Sequence, residues 1–181
     1  QYELNYQGTF VFKHGEKLDA MQIMHGHVDG KVKQRIVSLN DVAREVIRDG
    51  ELVKCIWPKK RLVVVGPTSS YNGMPTIVPK DLSNVSDVYQ IHSTDFNQIA
   101  GKTCQLVSIT PTDSYRYGYE FCIQPQTGML LRSKIIDTKK NKVLEEMLFT
   151  EVNYMSSSEA LIFDSKYDLS NFKWKKSFVS E

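Results

Sequence analysis

His25 and His27, in the stretch MHGHVDG, are the residues of this chain best spaced to hold a metal. On a strand alternate residues share a face, so the two imidazoles would project together, as some zinc sites require. A third ligand would have to come from His14 or His92, because Asp29, the next residue of that parity, already belongs to a turn. Surface or turn-flanking histidines are the simpler reading, and no metal is assigned. Ser, His and Asp are all present, yet no spacing singles out a nucleophile. The chain carries no GxSxG elbow, GxxxxGK[ST] loop, GxGxxG turn, HExxH helix or EF-hand pattern. No cofactor is implied, and catalysis is not expected.

Three cysteines, Cys55, Cys104 and Cys122, are too few and too scattered for a disulfide scaffold or a CxxC site. Cys104 and Cys122 flank the PTDSYRYG turn, where they either bond across a hairpin or form a reduced, buried pair. Lys59, Lys60 and Arg61, like Lys139, Lys140 and Lys142, fall in turns and read as solvated rather than as a phosphate or headgroup patch. The KWKK run near the end is equally ambiguous. A formal charge of +2 and a pI near 8.4 do not demand nucleic acid.

Aromatic spacing says more. In PTDSYRYGYEF, Tyr115, Tyr117, Tyr119 and Phe121 alternate with Arg116, Gly118 and Glu120, so an extended strand would carry four rings on one face. Gly118 would allow a bulge or a close approach of a neighbouring strand, and Arg116 is expected to pair with Glu120 or with an acid on the next strand. GTFVF and AMQIMHG are apolar on both parities and RLVVVG is continuous, so these strands need cover on both faces or line a cavity. Parity and ring content assign Phe10, Phe12, Met21, Ile23, Tyr115, Tyr117, Tyr119 and Met129 to an apolar, lipid-compatible lining; a packed core is the plain alternative.

The elements that must position these residues are mostly strands. Asp29-Gly30 and Asp49-Gly50 punctuate β-rich runs and predict tight hairpins in an antiparallel meander. Residues 67–79, rich in Pro, Ser and Gly, predict a long loop, and KDLSNVSDVYQI predicts a helix capped by Asp81 or Ser83 with Leu82, Val85 and Val88 or Tyr89 inward, though its Ser and Val content makes it a weak helix former. Strands resume at KTCQLVSIT, YRYGYEFCI, TGMLLRSKIID and KVLEEMLFTEVNYM. About nine or ten strands result, so a single sheet must curl, close or split. Residues 156–181 lack a sustained period and read as a docking or linking segment. No run approaches the roughly 18 apolar residues of a membrane span. The chain opens QYELNYQG without an initiator Met, so any leader that preceded it has been removed.

Four blocks in order, residues 4–25, 35–58, 113–137 and 143–152, resemble the RseB/MucB family of periplasmic regulators of the envelope-stress sigma factor. The resemblance implies an α+β, mostly antiparallel fold: a strongly curved, incomplete β-barrel like those of LolA and LppX, covered by short helices and loops. It implies a LolA-like half-barrel domain over residues 1–155, with 156–181 as an interdomain linker or the start of a missing small C-terminal domain. It also implies a periplasmic location and a non-enzymatic function. The chain would bind the periplasmic part of an RseA- or MucA-like anti-sigma factor, shield it from proteolysis, and respond to lipid or lipopolysaccharide. An oxidising periplasm favours the Cys104–Cys122 bond more than the residues alone do. A lipid or lipoprotein carrier of the LolA/LppX type is the alternative, and self-association is left open.

Overall fold

The computed structural model describes residues 4–40, 44–70 and 85–177. Among them are twelve strands: β1 (Asn5–His14), β2 (Lys17–Val28), β3 (Lys31–Ser38), β4 (Glu45–Asp49), β5 (Leu52–Trp57), β6 (Leu62–Pro67), β7 (Tyr89–Ile99), β8 (Lys102–Pro111), β9 (Gly118–Ile123), β10 (Leu130–Asp137), β11 (Lys142–Met155) and β12 (Lys173–Lys176). A single helical turn, α1 (Val85–Val88), precedes β7. The class is therefore mostly antiparallel β with little helix, as expected. The chain forms two compact units. The first comprises Tyr2–Thr9, Asp19–Met74 and Val152–Glu181; the second is built from Phe10–Leu18 and Pro75–Glu151.

In the first unit the strand order runs β12-β6-β5-β4-β3-β2, all antiparallel neighbours except β12, which joins β6 in parallel. The β2–β3 turn is Asp29-Gly30, with φ of 50° and 73° and Val28 opposite Lys31. Two successive positive φ values match the strand twist, which is why Asp-Gly serves so well there. At the second Asp-Gly the turn sits one residue later: Asp49 pairs with Leu52, so the two-residue turn is Gly50-Glu51, and Gly50 takes the positive φ of 59°. Ile47, Ile56 and Val63 form a buried cluster against which Val65, Leu169 and Phe172 pack. Each such side chain taken from water contributes roughly 1.5–3 kcal/mol.

Leu169 and Phe172 come from the segment read as docking or linking. That stretch lies on the first unit as far as Lys176, with Leu161 buried and β12 in register with β6 from Lys173–Leu62 to Lys176–Val65. Its apolar residues are too widely spaced to show a period, so the sequence did not show which of them pack.

In the second unit the order is β11-β10-β9-β8-β7. The helix expected across residues 80–91 is corrected: its proposed cap and Leu82 lie outside the described residues, helix extends only from Val85 to Val88, and Tyr89 already begins β7. Val and Ser are weak helix formers, which agrees with a helix of a single turn. β7 and β8 are joined by Ala100-Gly101, both at positive φ (51° and 70°), with Ile99 opposite Lys102. Most of the expected loop over residues 67–79 also falls outside the described residues.

Candidate binding surfaces

Cross-strand partners share a face, so the registers of the second unit define its two surfaces. One row runs Ile91–Ile109–Tyr119–Ile135, and the next runs Ser93–Val107–Phe121–Ser133–Met147. The strand pairing shifts between Ser93 and Phe96, and Phe96 opposite Gln105 thereby returns to the face of Ile91. This apolar face is closed at one side, where Met147, Phe149 and Leu131 are at most 1% exposed, and open at β7, where Ile91 is 57% and Phe96 62% exposed.

The predicted lining residues of this unit divide along that gradient. Phe10 is buried with its ring 5.5 Å from Phe149, and Met129 is fully buried, so both are packed core. Phe12 and Tyr119 are half-buried. Tyr115 and Tyr117 are not on a strand at all: β9 begins at Gly118, and Tyr115 is 93% exposed. Asp113 causes this, accepting hydrogen bonds from the Tyr115 backbone N–H and from the Arg116 guanidinium and so holding the turn bent. The expected row of four rings along one strand is thus reduced to Tyr119 and Phe121, stacked at 6.2 Å. The third ring comes from across the sheet, since Tyr89 of β7 lies 6.2 Å from Tyr119. Burial, followed by the charge of and a hydrogen bond with Tyr89, pushes the Tyr119 hydroxyl above its ordinary value. Tyr89 had been expected inward on a helix, so its place on a strand beside Tyr119 was missed.

On the opposite face Glu120 pairs with Arg132 at 2.6 Å and Lys134 at 2.9 Å, rather than with Arg116. Burial alone would raise the Glu120 carboxyl, but its hydrogen bonds and proximity to Lys134 and Arg132 outweigh that and hold it below the usual carboxylate range. Cys104 and Cys122 are joined by a disulfide with Cα atoms 5.3 Å apart. Gly118 does meet a close neighbour: a Cβ there would lie 2.9 Å from Thr138 Cγ2 and 3.4 Å from the Ile109 carbonyl oxygen.

The remaining two lining residues, Met21 and Ile23, are in the first unit, half-buried and fully buried respectively. His25 follows them on the same face. It is buried, not turn-flanking, stacked on Tyr6 with ring centroids 5.1 Å apart and set edge-on to His27 with centroids 5.9 Å apart. Among the described residues no three of His, Cys, Asp and Glu gather to hold a metal. Between the two histidines, Gly26 lets residues 158–161 cross β2: a Cβ would lie 2.8 Å from Asn5 Oδ1 and 3.1 Å from Leu161 Cδ1. The Ser158 hydroxyl donates to the His27 carbonyl at 2.6 Å, fixing the crossing.

A second tie is buried and charged. Arg35 donates to Glu45 Oε1 at 2.6 Å, and Ser165 Oγ donates to Glu45 Oε2 at 2.5 Å, with the Glu45 side chain 1% exposed. Beside it opens a pocket of about 250 Å³ bounded by apolar Ile47, Phe163 and Leu169 and by the charges of Lys33, Arg48 and Asp49. Arg48 is held by the Gly50 carbonyl at 2.9 Å.

These features define a mostly antiparallel β protein whose described polar clusters brace strands and a docked segment. More particularly, the chain belongs to the MucB/RseB N-terminal domain family, whose model matches residues 1–173. It is 27% identical over 143 residues to the sigma-E factor regulatory protein RseB of Haemophilus influenzae, covering 79% of this chain and 45% of that protein. The crystal structure of MucB is similar with a TM-score of 0.73 at 23% identity, over 91% of this chain and 58% of that one. The Pseudomonas aeruginosa MucA/MucB complex structure matches with a TM-score of 0.67 at 23% identity, over 86% of this chain and 53% of that one. The chain spans about half the length of the curated relatives it matches.

Proposed function

We propose that this chain is a non-enzymatic binding domain of a periplasmic regulator of the sigma-E-type envelope-stress response. It engages the periplasmic part of a MucA- or RseA-like anti-sigma factor and shields that segment from proteolysis. The observation that carries this reading is the family match across residues 1–173; the fold shared with MucB, solved as a MucA/MucB complex, supports it. The geometry offers a means. Among the described residues β7 ends its sheet, is exposed along nearly all of its eleven residues, and presents Ile91 and Phe96 on one face. An extended peptide pairs with such an edge through its main chain and gains specificity from alternate side chains.

Lipid or lipopolysaccharide sensing is assigned to the apolar face of the second unit, at the half-buried Tyr89, Tyr119 and Ile109, next to the exposed Ile91. A ligand that prefers the partner-free conformation shifts the balance away from the complex by its differential affinity. Calorimetric titration of the chain, alone and within its longer parent protein, against the anti-sigma segment tests the reading, with lipid then added. Binding that lipid reverses is the expected result. Stoichiometric lipid uptake without partner binding in either form would replace the regulator with a carrier.

A further inference from the structure

Two basic runs more than a hundred residues apart in the chain meet at one corner of the first unit. Lys59, Lys60 and Arg61 form the turn between β5 and β6, and Lys173, Lys175 and Lys176 lie on β12. The Lys173 backbone N–H donates to the Arg61 carbonyl at 2.7 Å, locking the runs side by side. All six side chains are exposed, and none pairs with a carboxylate among the described residues, whose ion pairs lie elsewhere. The whole chain has a formal charge of only +2, so positive charge is concentrated at this corner. Amid the lysines Trp174 is 48% exposed, with the Lys54 ammonium 6.0 Å from its ring.

We propose that this corner docks on an anionic bilayer surface, a role beyond anti-sigma binding. Cations project from both faces of β12 and from the adjoining turn, an open convergence of charge rather than a groove that would read a peptide sequence. Lysines gain near an anionic leaflet, and an exposed indole settles at headgroup depth, so the two together suit a membrane interface. Lys54 over the ring keeps the indole beside positive charge.

The test is co-sedimentation of the chain with vesicles of phosphatidylglycerol and phosphatidylethanolamine, compared with phosphatidylcholine vesicles and with soluble polyglutamate. Trp174 emission is followed in a Trp57→Phe background, because the chain has two tryptophans. Binding to the anionic vesicles alone is expected, with a blue shift of Trp174 and loss at high salt. Each cation contributes roughly five-fold to the partition, so K59E/K60E and K175E/K176E should each weaken it by about 25-fold or more while leaving the circular dichroism spectrum unchanged. Equal binding to phosphatidylcholine, or charge-reversed variants that bind as well as the parent, overturns the proposal. Polyglutamate binding that matches vesicle binding without a Trp174 shift also overturns it, in favour of an acidic polypeptide. No vesicle binding overturns it too, leaving the lysines as protection of an open sheet edge.

Discussion

Removing Arg35 should be among the most damaging single changes in the first unit. Glu45 is 1% exposed and Arg35 9%, so Arg35→Ala leaves a carboxylate in the interior with, among the described residues, only the Ser165 hydroxyl as partner. Breaking one side of a buried pair costs about 3–5 kcal/mol. Against the roughly 5–15 kcal/mol of net stability typical of a domain, this is a large fraction. Replacing both partners, as Arg35→Met with Glu45→Leu, removes the charges and their desolvation together, and should recover most of the loss. The Arg35 Nε has no hydrogen-bond partner among the described residues, so the native pair does not fully repay the desolvation of its guanidinium. Ser165→Ala should cost about 1.5–3 kcal/mol, the value of a hydrogen bond to a charged group. Urea unfolding of the three variants, followed by circular dichroism, gives the ordering. A double variant as unstable as Arg35→Ala, or an Arg35→Ala loss below about 1 kcal/mol, would refute the assignment.

Three further outcomes follow from the second unit. The Cys104–Cys122 bond closes a span of 18 residues; changing both residues to Ala should cost about 3 kcal/mol, seen calorimetrically as a Tm lower by about 6–12 °C. Because the Glu120 carboxyl is held below its ordinary value of 4.5, its contribution to stability is fully present above that value and is lost as pH falls through the lower folded value. Glu120→Gln should therefore flatten the stability profile below about pH 4.5 relative to the parent, and an unchanged acid slope would contradict the Lys134–Arg132 clamp. Gly118→Ala should cost about 1–3 kcal/mol by crowding Thr138. Adding Thr138→Ser, which deletes the crowded methyl group, should restore part of that in the same melt, and no rescue would place the strain elsewhere.

Much of the fold was legible because its signals are local. Asp29-Gly30 needs only its own φ preferences to make a hairpin, and the strand runs from Lys102 to Met155 show their character in β-branched and aromatic content. β7 was not legible, because an edge strand exposed nearly throughout has no buried face to impose alternation. The ring row failed for a related reason: period-two spacing predicts a shared face only where the chain is extended, and Asp113 bends it first.

By itself the sequence determined the antiparallel class and, through blocks spread over residues 4–152, the family. Tertiary structure alone decided where the side chains of those elements lead. It buried Phe10 and Met129, set Tyr89 against Tyr119, fastened Ser165 to Glu45, and brought Arg61 beside Lys173. Periodicity reports which residues share a face, whereas what covers that face depends on segments distant in the chain, whose pairing is fixed only when the sheet closes its hydrogen bonds and excludes water.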